Sequence, residues 1–167
     1  MPKKYIFDAS TLILLAKITV LRNFSENNTL IITPVVQAEV LTKKEADDAK
    51  IIEQLLAEGM IRESIHTVPM INVVADFGIG RGEAEALNFA FKKKQILATD
   101  DGCAIKACKL LNVKFVTAIH CLLSLVKEGI LDKRLALEKL KRLDEYGRYS
   151  VEIMKDARKI IEGENHG

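Results

Sequence analysis

The chain has 167 residues, 49% of them apolar, and a net charge of only +2 at neutral pH. That length suits one domain with its own core, and the charge balance neither requires nor excludes a nucleic-acid partner. Three cysteines, Cys103, Cys108 and Cys121, make no disulfide framework and are expected as small buried thiols; with no signal peptide and no membrane-length apolar run, the expectation is a cytoplasmic protein away from the membrane.

Lys4–Phe7 reads as a short buried strand. Ser10 to about Phe24 reads as helix, with Ser10 or Thr11 as its N-cap. Asn27-Asn28 is a turn, and the β-branched run Thr29–Thr33 is a second strand. Pro34 opens a helix at its first position, where a missing N–H costs nothing, and Glu39 falls in that helix's second turn. Ala46–Met60 has helical apolar spacing through Ile51, Ile52, Leu55 and Leu56. Ile61–Val74 is less regular and reads as a strand with a loop. A glycine-rich turn, GIGRG, then leads into a helix carrying Glu83 and Glu85. Gln95–Thr99 is a strand ended by Asp100-Asp101-Gly102, residues 104–111 are helical, and Val113–Thr117 is a further strand. Everything from Ile119 onward has helical character.

Strands alternating with helices predict an α/β fold: a three-layer α/β/α arrangement around a mainly parallel sheet of four to five strands. The expected organisation is a single domain over 1–167, with a helical C-terminal extension from about residue 119. In such sheets ligands bind outside the carboxyl ends of the strands. Asp8, Asp100 and Asp101 follow strands at that edge, and Glu39, Glu83 and Glu85 lie early in helices that begin there. Any one of these acids alone is ordinary surface charge or a helix cap. Together they form a set of carboxylates that would repel one another unless a hard cation neutralised them. Oxygen donors suit Mg²⁺ or Mn²⁺, and the lack of His and Cys at these positions argues against zinc.

These segments resemble PIN-domain nucleases, which include the toxins of VapBC toxin–antitoxin pairs, over about residues 4–120. FDAST is similar to their first motif, TPVVQAEVL to the second, GRGEAEALNFA to the helix with the third acid, and ILATDDG to the strand end with the fourth. The stretch GRYSVEIMKDARKIIEG is similar to the tail of a PIN subgroup. The resemblance implies a metal-dependent endoribonuclease with Asp8 as central ligand and Glu39 as second acid. It implies Glu83, where many members have Asp, as third acid and Asp101 as fourth. Asp100 is an additional candidate ligand and Glu85 the alternative to Glu83. Ser10 would orient Asp8, and Thr117 stands where some members carry a further acid. RNA as substrate, a small antitoxin as partner and a homodimer belong to the same set of implications.

RNA also needs phosphate contacts. Arg81, Lys43, Lys44, Lys92, Lys93 and Lys94 are the candidates, although the lysine runs read more readily as solvated helix ends and Arg81 reads equally as a partner of Glu83 or Glu85. His66 reads as structural or exposed; His120 follows the last strand and could approach the site, but reads more readily as a surface or capping residue. GIGRG lacks the Lys-Ser/Thr pair of a P-loop. Two other functions compete. YIFDAST has some similarity to the nucleophile motif of haloacid-dehalogenase-type phosphatases, but Ser10 occupies the place of their general acid. A non-catalytic binding module with the same fold is the other, and Glu83 in place of Asp is the feature that leaves room for it.

Overall fold

The structure, a computed structural model, describes residues 2–42, 45–64 and 77–163. Strand β1 (Lys4–Phe7) is its central strand, and Tyr5, Ile6 and Phe7 are all buried. Successive strand residues point to opposite faces, so this continuous burial means that both faces of the sheet are covered. Tyr5 and Phe7 share one face and meet Phe24 of helix α2 (Leu21–Asn27), with ring centroids 5.2 and 6.0 Å away. Burying a side chain of this size stabilises by about 1.5–3 kcal/mol.

Five strands form one parallel sheet in the order β3-β2-β1-β4-β5. β2 is Thr29–Ile32, β3 is Ile61–Glu63, β4 is Ile96–Ala98 and β5 is Phe115–Val116. The chain builds outward from β1 to β3, then crosses back to place β4 on the other side of β1. Phe7 is level with Ala98 across that junction. Asp8 and Thr99 therefore leave the sheet side by side at the point where the strand order reverses, which is where a parallel sheet opens a crevice.

The helix expected over Ser10–Phe24 is two helices. α1 (Ala9–Lys17) ends at Ile18, and Thr19 takes a left-handed backbone (φ 60°) before α2 begins. No glycine or proline marks this break. Ile18, Val20 and Leu21 are all fully buried around it, and Lys139 Nζ donates to Thr19 Oγ1 at 2.6 Å. The N-cap also differs from the expectation. It is Asp8, whose side chain accepts from Thr11 N, because Ser10 and Thr11 are already inside the first turn.

The remaining described helices are α3 (Pro34–Val40), α4 (Asp47–Ala57), α5 (Arg81–Lys93), α6 (Gly102–Leu111), α7 (Ala118–Lys127), α8 (Lys133–Tyr146) and α9 (Val151–Glu162). The helical character expected after Ile119 is thus α7, α8 and α9. Ala136, Leu140 and Leu143 of α8 and Ala157 and Ile161 of α9 share one hydrophobic core with the sheet. Cys108 and Cys121 are buried as expected, but Cys103 is exposed at the start of α6. The sequence around 61–74 contributes β3; its remainder, including His66, lies outside the described residues, as do Lys43 and Lys44. Among the described residues no helix is long and apolar enough to cross a membrane.

α5 closes on Lys94, an exposed residue in the left-handed region (φ 55°). Glycine reaches that conformation without the Cβ penalty. Lys94→Gly should therefore raise stability by about 0.5–1 kcal/mol in chemical denaturation. A loss of stability would show that the lysine side chain contributes more than its backbone costs.

Candidate active site

Asp8 is fully buried at the carboxyl end of β1. Ser10 Oγ donates to its Oδ1 at 2.6 Å, Thr11 N donates to the same oxygen at 3.3 Å, and Thr99 Oγ1 donates to Oδ2. Three donors against about four acceptor positions leave the carboxylate unsaturated. Burial pushes the Asp8 carboxyl up to about 7. The three donors oppose that rise, and the nearby charge of Glu83 adds to it. One ion pair forms among the described residues, Arg22–Glu58, far from this edge in sequence and on other elements. No basic side chain among them neutralises Asp8.

The two acids after β4 have different tasks. Asp101 is the N-cap of α6: its Oδ2 accepts from Ala104 N at 2.8 Å, which leaves Oδ1. Its own N–H donates to Thr99 Oγ1 at 3.2 Å, the hydroxyl that holds Asp8. Asp100 was the additional ligand candidate by sequence, yet both of its oxygens are taken by protein donors. Oδ1 accepts from Thr11 Oγ1 at 2.5 Å and from Ala118 N at 3.0 Å, and Oδ2 accepts from Tyr149. Asp100 is therefore a joint between β4, α1, α7 and the α8–α9 connection. Burial, reinforced by the charge of Asp100, raises the Tyr149 phenol, so it remains a donor at neutral pH. Tyr149 has no local signature of this role; its sequence neighbourhood suggested only a family-like tail. Thr117 sits beside this joint as the N-cap of α7. It shares a capping box with His120, the capping reading that the sequence favoured for that histidine.

Helices α3 and α5 bind each other's amino termini. Gly82 N donates to Glu39 Oε1 at 3.1 Å, and Val35 N donates to Glu85 Oε1 at 3.2 Å. Each carboxylate thus meets N–H groups that its partner helix leaves open. The glycines of GIGRG make this possible. A Cβ on Gly82 would overlap the Glu39 carboxylate, and one on Gly80 would overlap that of Glu83. The Glu39 carboxyl is raised by burial first, then by the charge of Glu83, against the Gly82 hydrogen bond. Glu83 thus acts electrostatically on both Asp8 and Glu39. Glu85, the alternative third acid, is occupied with α3 and leaves Glu83 as the acid facing the centre.

Basic residues divide differently. Arg81 is exposed at the first position of α5 and pairs with neither Glu83 nor Glu85. Lys92, Lys93 and Lys94 lie at the opposite end of α5, just before β4 starts, so they stand at the amino edge of the sheet and not at the acidic one. Lys92 and Lys94 join Lys114 around a groove of about 640 Å³ there. By sequence the run is a candidate for phosphate contacts or a solvated helix end; the parallel sheet separates it from the acids.

A PIN-domain family model matches residues 4–162, nearly the whole chain. The chain belongs to the PIN-domain family. No curated protein matches it. Among solved structures, a PilT N-terminus domain protein from the hyperthermophilic archaeon Sulfolobus solfataricus P2 shares the fold, with a TM-score of 0.52. The two are 21% identical, and the match covers 72% of this chain and 92% of that one. PIN domains are generally nucleases and typically use divalent metals, so the fold is of nuclease type.

The residues of this PIN domain can be tested against such a metal. Every donor at the edge is a carboxylate or hydroxyl oxygen, the chemistry that Mg²⁺ and Mn²⁺ prefer. Gly80 and Gly82 leave room for two of the carboxylates, and buried Asp8 has no cationic partner among the described residues. Among the described residues no three acids already ring one point. The donor set therefore fits an ion held by few carboxylates with water completing the shell, the usual habit of Mg²⁺.

The raised Asp8 carboxyl links pH to stability in the metal-free protein. Its folded-state value, about 7, exceeds the ordinary 3.8, so its contribution is full below about pH 4 and is lost as pH rises through 7. In chelator, the stability difference between wild type and Asp8→Asn should shift by roughly 3–4 kcal/mol against wild type from pH 4 to 8. Denaturant titrations at several pH values measure it. A pH-independent difference would mean that Asp8 keeps an ordinary carboxylate pKa.

Proposed function

We propose that this PIN domain is a divalent-metal-dependent endoribonuclease hydrolysing RNA phosphodiester bonds, the toxin of a toxin–antitoxin pair or an RNA-processing protein. The observation that carries this reading is Asp8: a buried carboxylate at the β1/β4 switch point, held by three donors and neutralised by no described base. Asp8 and Asp101 would hold Mg²⁺ or Mn²⁺, with Glu39 and Glu83 reaching it through water. When bound, such an ion lowers the pKa of a coordinated water and stabilises charge on phosphate oxygens.

The chain's own residues supply position. Ser10 and Thr99 clamp the two oxygens of Asp8 from opposite sides and fix its plane. Gly82 N fixes Glu39, and the charge of Glu83 in the first turn of α5 acts on both Asp8 and Glu39. Arg81, exposed at the first position of α5, is the candidate for contact with an RNA phosphate. No covalent nucleophile is required by this arrangement. As a toxin the domain would be held by a small antitoxin, and the exposed Val151, Ile153 and Ile160 of α9 are apolar groups that such a protein would cover. The non-catalytic module is disfavoured by the intact acid set, since a fold kept only for binding has no need of an unneutralised buried Asp8.

Purified protein incubated with RNA should cleave it with Mn²⁺ and not with chelator. Asp8→Ala or Asp101→Ala should reduce the rate by about 100-fold or more while circular dichroism shows a folded chain. Cleavage by Asp8→Ala at the wild-type rate would end the nuclease reading, and an inert wild type would leave the binding module.

A further inference from the structure

Tyr149 belongs to the connection between α8 and α9, far along the chain from every acid at the sheet edge. The connection folds back tightly enough to bring it there. A Cβ on Gly147 would overlap the Tyr149 ring, so the glycine is what lets the ring lie over its own backbone. Ser150 then caps α9 through Ile153 N and fixes the exit of the turn. The phenol arrives half-buried and donates to Asp100 Oδ2.

From Asp100 two short paths lead to Asp8. Asp100 N donates to Ser10 Oγ at 3.0 Å, and Ser10 Oγ donates to Asp8 Oδ1 at 2.6 Å. Asp100 Oδ1 accepts from Thr11 Oγ1 at 2.5 Å, and Thr11 N donates to Asp8 Oδ1 at 3.3 Å. Both paths end on the same oxygen. Asp100 Oδ1 also receives Ala118 N, so among the described residues Tyr149 alone secures the other oxygen. Without the phenol, the Asp100 carboxylate keeps only its Oδ1 donors among the described residues, so the residue whose backbone N–H holds Ser10 Oγ and whose Oδ1 holds Thr11 Oγ1 sits less firmly against Asp8.

We infer that Tyr149 is a positioning residue for the acidic centre: through Asp100 it fixes Ser10 and Thr11, and through them the orientation of Asp8. The helical pair α8–α9 is then a working part of the site and not an appendage. This inference rests on the nuclease reading given above. It also assigns Asp100 to holding the site together, leaving Asp101 as the acid after β4 that faces an ion.

The test is Tyr149→Phe, which keeps the ring and deletes the hydroxyl. Mn²⁺ affinity is measured by calorimetry on the folded protein, and kcat and KM for RNA are measured beside it. Loss of an outer hydrogen bond to a ligand-orienting group typically costs about 10–100-fold in metal affinity or activity. Tyr149→Phe should therefore weaken Mn²⁺ binding and lower kcat by about 10-fold or more, with KM changed by less than about 3-fold. Asp100→Ala removes the same connection together with the Thr11 acceptor, so it should weaken Mn²⁺ binding and lower kcat at least as much, and adding Tyr149→Phe to it should cost little further, because the phenol then has nothing to hold. If Tyr149→Phe fails to fold, Asp100→Ala gives the readings alone. Wild-type Mn²⁺ affinity and kcat in a folded Tyr149→Phe, or in Asp100→Ala where that variant stands in, would overturn the inference and leave the nuclease reading intact. A wild type that neither binds Mn²⁺ nor cuts RNA would overturn both.

Discussion

Burying a carboxylate without a counter-charge is among the costlier arrangements a folded chain can hold, and this fold does it at the centre of its sheet. Asp8 follows the strand whose two faces are both covered, at the junction where β1 and β4 leave side by side. Desolvation disfavours its ionised form, and only directed donors reduce that cost. The hydroxyls of Ser10 and Thr99 and the Thr11 N–H are those donors. Each lies in an element whose position is set by something else: Ser10 and Thr11 by α1, Thr99 by β4. The register of the sheet and the start of the first helix are thus coupled to one carboxyl group. Asp8 is at once the cap that begins α1 and the centre of the acidic edge.

The other acids divide into those that build and those that face the crevice. Glu85 and Asp100 build. The first ties α5 to α3 through Val35 N, and the second joins β4, α1, α7 and the α8–α9 connection. Glu39 does both, since it binds Gly82 N while its carboxyl is raised by burial and by Glu83. Glu83 and the remaining oxygen of Asp101 are the groups least committed to the protein. This division explains how so many carboxylates share one edge: backbone N–H groups and hydroxyls satisfy most of them locally, and only a small remainder is left for the proposed cation. It also gives the glycine-rich turn its meaning. Gly80 and Gly82 are gaps into which carboxylates fit, not a cradle for a phosphate.

The alternation of strands and helices, the parallel sheet and the collection of acids at its carboxyl edge were all legible in the sequence, because apolar runs and strand-end acids are local patterns. Pro34 as the first residue of α3 and the strand over QILAT were legible for the same reason. What escaped depends on contacts across the chain. Nothing in KITV announces the break at Thr19, which burial of Ile18 and Val20 imposes. Adjacent Asp100 and Asp101 look alike in a sequence; Thr11, Ala118 and Tyr149, each arriving from another element, tell them apart. The lysine run at 92–94 reads in the sequence as phosphate contacts or as a solvated helix end, and a 13-residue helix carries it to the end of the sheet away from the acids.

The account depends on a hard cation occupying the crevice beside Asp8. Anomalous diffraction from crystals soaked in Mn²⁺ locates such an ion directly. A peak is predicted within coordination distance of an Asp8 oxygen, on the side facing Glu83 and Asp101 and away from the bonds to Ser10 and Thr99. Crystals that diffract well and show no peak there, or show one only at another surface, would contradict it and leave Asp8 as a helix cap whose burial serves the fold alone.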